Sequence, residues 1–88
     1  MSKKTTLQEL IDTLKQHRDE LRVKMHLAEM DARDEYDRLS GKIDELSSQF
    51  QPVQHAVSES ADNVIAALLL AGEEMKNGFV RVAKSLKE

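Results

Sequence analysis

Two histidines each stand three residues ahead of a glutamate, His17 before Glu20 and His26 before Glu29, and His55 stands four ahead of Glu59. On a helix such pairs share a face, and imidazole with carboxylate is a metal-ligating combination. Di-metal carboxylate bundles use the reverse order, Glu-x-x-His, with further inward-facing glutamates. Neither three-residue pair has that form. His17 and His26, nine residues apart, fall about half a turn out of line on a helix. These histidines read as solvated side chains, and no metal or other cofactor is expected.

Carboxylates are the next candidates. Asp31, Asp34, Glu35, Asp37, Asp44 and Glu45 form an acidic stretch interrupted by Arg33, Arg38 and Lys42. Acid–base catalysis by paired carboxylates needs a desolvated cleft that separates their pKa values. The spacing predicts instead i,i+4 pairs on a solvated face, Asp34 with Arg38 and Arg33 with Asp37. Ser40, Ser47, Ser48, Ser58 and Ser60 have no His–Asp arrangement around them. There is no Gly-rich phosphate loop, and Glu73 and Glu74 between Gly72 and Gly78 would repel phosphate. No catalytic residue is expected, and the chain reads as a non-enzyme.

Bulk composition narrows the field further. The chain has 88 residues, a net charge of −3, three aromatic residues and no cysteine. Negative charge and scarce aromatics argue against nucleic-acid binding. Without cysteine there are no disulfides or thiolate sites, which leaves oligomerisation as the usual remedy for a small core. Residues 1–6 are polar and carry no signal-peptide apolar stretch. The longest apolar run, 64–71, is far short of the ~20 residues of a membrane span. A cytoplasmic location is expected.

Apolar positions at steps of three and four predict helices throughout. One stripe runs Leu7, Ile11, Leu14, Leu21, Met25, Ala28, Ala32, Tyr36, Leu39, Ile43, Leu46, Phe50, with Arg18 in one slot. It resumes as Val53, Val57, Ala61, Val64, Leu68, Ala71, Met75, Phe79, Val82, Leu86. Thr6 and Glu9 form a capping box that marks the first helix start, after a disordered 1–5. Gly41 is a weak point, and the stretch 47–52, SSQFQP, is the strongest break. Pro52 either opens a second helix behind Gln51 or kinks one continuous helix; the first reading is preferred. The expected fold is all-α. A helix over about 6–46 and a second over about 53–86 pack as an antiparallel αα-hairpin with its turn at 47–52.

The run VIAALLLA at 64–71 covers a helix on every side with apolar groups. Pairing about the 47–52 turn places Leu68 opposite 25–31, where Val23, Leu27 and Met30 add off-stripe apolar side chains. One hairpin interface cannot cover both excesses. Val23, Leu27, Met30, Ile65, Leu68, Leu69 and Leu70 are therefore the expected oligomer interface, most simply of a homodimeric four-helix bundle. An unknown protein partner is the other way to cover it. Gly72 and Gly78, with neighbouring alanines, either permit a close helix approach or are merely tolerated. The functional expectation is a structural or protein-interaction module that self-associates through apolar helix faces. The alternative is an amphipathic, apolipoprotein-like protein that binds a lipid surface. Its support is the basic amphipathic character of 79–87 and of the region around Lys15, Arg18, Arg22 and Lys24.

The segments LRVKMHLAEMDARDEYDRL (21–39) and AGEEMKNGFVRV (71–82), with an aromatic at Tyr36 and a Gly-aromatic pair at Gly78-Phe79, resemble small uncharacterised bacterial coiled-coil proteins of helical-hairpin form. That resemblance implies a bacterial cytosolic helical protein and supplies no catalytic residues.

Overall fold

The structure, a computed structural model, describes residues 3–86. It is all-α, with no strand among those residues. Three helices are present: α1 over Lys3–Arg22, α2 over Met30–Phe50 and α3 over Glu59–Ser85. The rod they form measures 47 × 21 × 16 Å.

The expected helix over 6–46 is divided at 23–29, so the chain folds as three helices rather than a two-helix hairpin. Each apolar stripe can then meet two others. Leu7, Ile11, Leu14 and Leu21 of α1 pack with Tyr36, Leu39, Ile43, Leu46 and Phe50 of α2, and with Ile65, Leu68, Met75, Phe79 and Val82 of α3. These are positions of the apolar stripe, with Ile65 added, and Leu10, also off the stripe, completes the core. No polar or charged residue is buried among the described residues.

Helix α1 is already formed at Lys3. Thr6 and Glu9 therefore lie inside it, and of the expected disordered segment residues 3–5 are helical while 1–2 lie outside the described residues. The Lys4 ammonium donates to the Ala56 carbonyl, joining this end of α1 to the α2–α3 connection. Pro52 begins no long helix. It lies in a 3-10 turn, Gln51–Val53, directly after α2, where its missing N–H is tolerated. Helix α3 starts later, at Glu59. Its cap is Ser58, in extended backbone at φ −156°, whose hydroxyl accepts the Ala61 N–H at 3.1 Å. Glu59 and Asp62 in the first turn complement the helix dipole.

The run at 64–71 is covered in part from within, and Val64, Ala67 and Leu70 stay exposed. Helix α3 packs against both α1 and α2, so it buries a wider arc than one partner could cover. Ile65 and Leu68 are buried, Leu69 packs at the core margin, and Leu70 is 72% exposed. The register also differs from the hairpin expectation. A methyl group on Gly72 would come within 2.5 Å of Leu10 Cδ2 and 3.6 Å of Leu46 Cδ2. Leu68, one turn before Gly72, thus lies toward the end of the bundle that holds Ala56, not opposite 25–31. Gly72 and Gly78 are buried places of close approach, the latter against Leu39.

Candidate functional site

The connection between α1 and α2 is where apolar side chains face outward. Several of its backbone N–H groups are met locally. The Lys24 N–H donates to the Leu21 carbonyl at 2.9 Å, closing α1. A 3-10 turn, Met25–Leu27, follows, with Leu27 N–H on Lys24 O at 3.0 Å and Ala28 N–H on Met25 O at 3.1 Å. Ala28 is buried and extended, and Glu29 is extended ahead of Met30. Asp31 stands in the first turn of α2, where negative charge suits the helix dipole.

Side chains brace this corner. Arg33 Nε donates to the Met25 carbonyl at 3.1 Å, and one of its terminal nitrogens lies 3.5 Å from the His26 carbonyl. His26 Nδ1 lies 2.8 Å from the Val23 carbonyl. The Tyr36 hydroxyl donates to the Arg18 carbonyl at 2.7 Å, tying α2 to α1 one turn before the corner. The Tyr36 ring meets Phe79 of α3 edge-on, with centroids 6.2 Å apart. Arg18, half-buried in its slot of the α1 stripe, reaches Asp44 at 3.4 Å.

With Ala28 turned inward, Val23, Leu27 and Met30 stand on the outer side of the corner. They are 71%, 54% and 76% exposed. Beside them Arg22, Met25, His26, Arg33, Tyr36 and Asp37 line an open hollow of about 360 Å³. Glu29 and Asp31 line a different hollow, shared with Glu35 and Arg81.

The seven residues expected to form one interface are thereby separated. Val23, Leu27 and Met30 lie together at one end of the rod, exposed. Ile65 and Leu68 belong to the chain's own core, and Leu69 packs against it. Leu70 stands on the outer face of α3, more than two helical turns from either end of that helix. Val64 and Ala67 of the same run are exposed with it.

The other candidates stay dispersed. His26 is at the corner, His17 is half-buried beside Leu21 and Phe79 in a shallow crevice, and His55 is exposed in the second connection. Among the described residues no three of His, Asp and Glu are grouped to hold a metal ion. In place of the expected Asp34–Arg38 pairing, Arg38 binds Glu35, and Arg33 turns to backbone carbonyls rather than forming the pair with Asp37. Through its hydrogen bond to Arg38, Glu35 is held below the usual carboxylate pKa, with smaller help from the charges of Arg38, Arg81 and Lys42 opposing desolvation. No described helix is long and apolar enough to cross a membrane.

Sequence reasoning singled out Arg22 and Lys24 as basic and Val23, Leu27 and Met30 as apolar, but placed them on a continuous helix. Arg33 was read only as a surface ion-pair partner. Its role as a brace depends on a chain reversal that no local residue announces. Comparison of the chain with protein-family models, with curated proteins and with solved structures finds no match.

Proposed function

We propose that the chain is a non-enzymatic interaction module whose contact surface is the connection at 23–30. The observation that carries this reading is the concentration of Val23, Leu27 and Met30, all more than half exposed, on one braced corner of the bundle. Exposed apolar groups clustered in this way mark contact sites more often than scattered ones do. Self-association through the whole faces of α1 and α3 draws less support. Ile65 and Leu68 already have partners within the chain, and a second chain could take them only by opening the bundle. Opening on a lipid surface in the apolipoprotein manner carries the same cost.

Binding of an apolar fluorescent dye to the native chain tests the reading. The unaltered chain should bind the dye, the variant V23S/L27S/M30S should lose most of the signal, and L70S should keep it. Equal dye binding by all three chains would show that the corner is not an apolar contact surface.

A further inference from the structure

The corner interrupts a sequence that otherwise reads as helix. Residues 23–29, VKMHLAE, contain no proline, glycine, serine, asparagine or aspartate, and Lys, Met, Leu, Ala and Glu are among the better helix formers. The backbone departs from a helix at few places. Lys24 lies in the right-handed helical region at φ −96° and ψ −6°, and Met25–Leu27 forms a 3-10 turn. The bend is made at Ala28, with ψ 147°, and Glu29, with ψ 163°. Their φ values, −84° and −70°, already lie near those of a helix. Turning these two ψ angles to about −42°, and easing the 3-10 turn to α, would make 3–50 a single helix. The apolar stripe is in phase for that change. Leu21, Met25, Ala28, Ala32 and Tyr36 keep steps of three and four across the bend.

Arg33 sits on the groups that decide between the two forms. In a continuous helix the Met25 and His26 carbonyls would accept the N–H groups four residues on, those of Glu29 and Met30. In the bent chain the Met25 carbonyl takes the Ala28 N–H and Arg33 Nε instead, both at 3.1 Å. One terminal nitrogen of Arg33 lies 3.5 Å from the His26 carbonyl. The guanidinium thus stands where the bend removes two amides. Tyr36 adds a second tie through its hydroxyl on the Arg18 carbonyl.

Straightening would carry α1 away from its own α2 and α3. Leu7, Leu10, Ile11, Leu14 and Leu21, all buried in the bundle, would then need the same complement again, and a second copy of the chain offers it. The sense of packing permits the exchange. Arg18 meets Tyr36, and Leu10 and Leu46 both border Gly72, so α1 and α2 run antiparallel. Two straightened helices laid antiparallel place each α1 on the α2 and α3 of the other chain, with the core contacts of the bundle retained. Because both forms bury the same core, the balance between them rests on the corner and on concentration.

We propose that the corner at 23–29 is a hinge, latched by Arg33, through which two copies of this chain exchange α1 as a domain-swapped dimer. Val23, Leu27 and Met30 fall on the far side of the straightened helix from Met25 and Ala28. The exchange is therefore independent of what covers them, and it stands apart from the contact reading above.

The test refolds the full chain from urea at low and at high concentration and follows its mass by sedimentation. High concentration should yield a dimer that reverts slowly on dilution, since each α1 must leave a core to return. The chain has no cysteine of its own, so spin labels can be placed on cysteines introduced at Asp12 and Ser48, both exposed. With labelled chains diluted into unlabelled ones, the separation within a chain should lengthen on dimerisation to about 54 Å, the rise of one helix between those positions. Glu29→Pro tests the hinge directly. Proline suits φ −70° at this position and an extended Ala28 before it, and it is disfavoured inside a helix. This variant should keep the circular dichroism and melting of the monomer and abolish the dimer. Arg33→Gln, which releases the Met25 and His26 carbonyls, should raise the dimer fraction several-fold. A chain that stays monomeric at every concentration overturns the proposal. So does a dimer whose labels keep the monomer's separation, or one that Glu29→Pro forms as readily. The label separation is read without Glu29→Pro, so a failure of that variant to fold leaves the proposal open to refutation.

Discussion

The two connections of the bundle reverse the chain by different means. The second, at 51–58, is rich in local signals: Pro52 in the turn after α2 and Ser58 capping α3. The first, at 23–29, contains neither proline nor glycine. It is held by groups distant in sequence, chiefly Arg33 on the carbonyls of Met25 and His26 and Tyr36 on the carbonyl of Arg18. A chain reversal can therefore be specified by side chains that lie a helical turn or more beyond it. The contrast extends to the surface. The second connection exposes one large apolar residue, Val57, whereas the first, together with Met30 at the start of α2, exposes three within eight positions.

Removing a brace from the first connection should have the largest effect. Tyr36 is 8% exposed and touches both α1 and α3. Tyr36→Ala should lower stability by about 3–5 kcal/mol, the usual range for truncating a buried aromatic residue, as measured by urea unfolding. That is a large part of the stability of a small domain. Tyr36→Phe isolates the hydrogen bond to Arg18 and should cost about 1 kcal/mol. A Phe variant as unstable as the Ala variant would show that the hydroxyl, not the ring, secures the corner.

The local device of the second connection should matter less. Ser58→Ala removes the acceptor for the Ala61 N–H and should cost about 1 kcal/mol, with faster amide exchange confined to the first turn of α3. Exchange that accelerates equally at Leu27 and Ala28 would mean that the two connections are not independent. The smallest effect belongs to the most conspicuous residue. Pro52 is exposed and follows a helix that has already ended, so Pro52→Ala should change stability by less than about 0.5 kcal/mol. A loss well above 1 kcal/mol would make the proline the organiser of its connection and reduce the contrast.

These differences explain what could be read in advance. The all-α class and nearly every core position follow from the three-and-four spacing, because Leu7, Ile11, Leu14, Leu39, Ile43, Leu46 and Phe79 each lie on a stripe that must be buried somewhere. The number of helices does not follow from it. Leu21, Met25, Ala28, Ala32 and Tyr36 continue the stripe through the corner without a change of period. The available signal was weak: the stripe narrows to Ala28 and Ala32 while larger apolar residues move off it, to Val23, Leu27 and Met30. A helix of some 40 residues in so short a chain was itself improbable against ordinary helix lengths. Assigning Ile65 and Leu68 to a second chain followed from counting two helices. With a third helix present, Ile65 and Leu68 find partners at home. The exposed corner was legible as residues and not as a place, since its position depends on braces that only the folded chain brings together.

Gly72 and Gly78 lead to a consequence for how this chain could drift in sequence. With no buried polar residue among the described residues to fix register, the alignment of α3 against its neighbours depends on shape. Leu10 and Leu39 lie where even one added methyl would crowd them, whereas Gly41 has open space around it. Most of the outward-facing side chains could be exchanged over many generations without moving a helix. Two hydrogen atoms, the entire side chains of Gly72 and Gly78, have no such freedom, because the sliding position of the longest helix is recorded in what those residues lack.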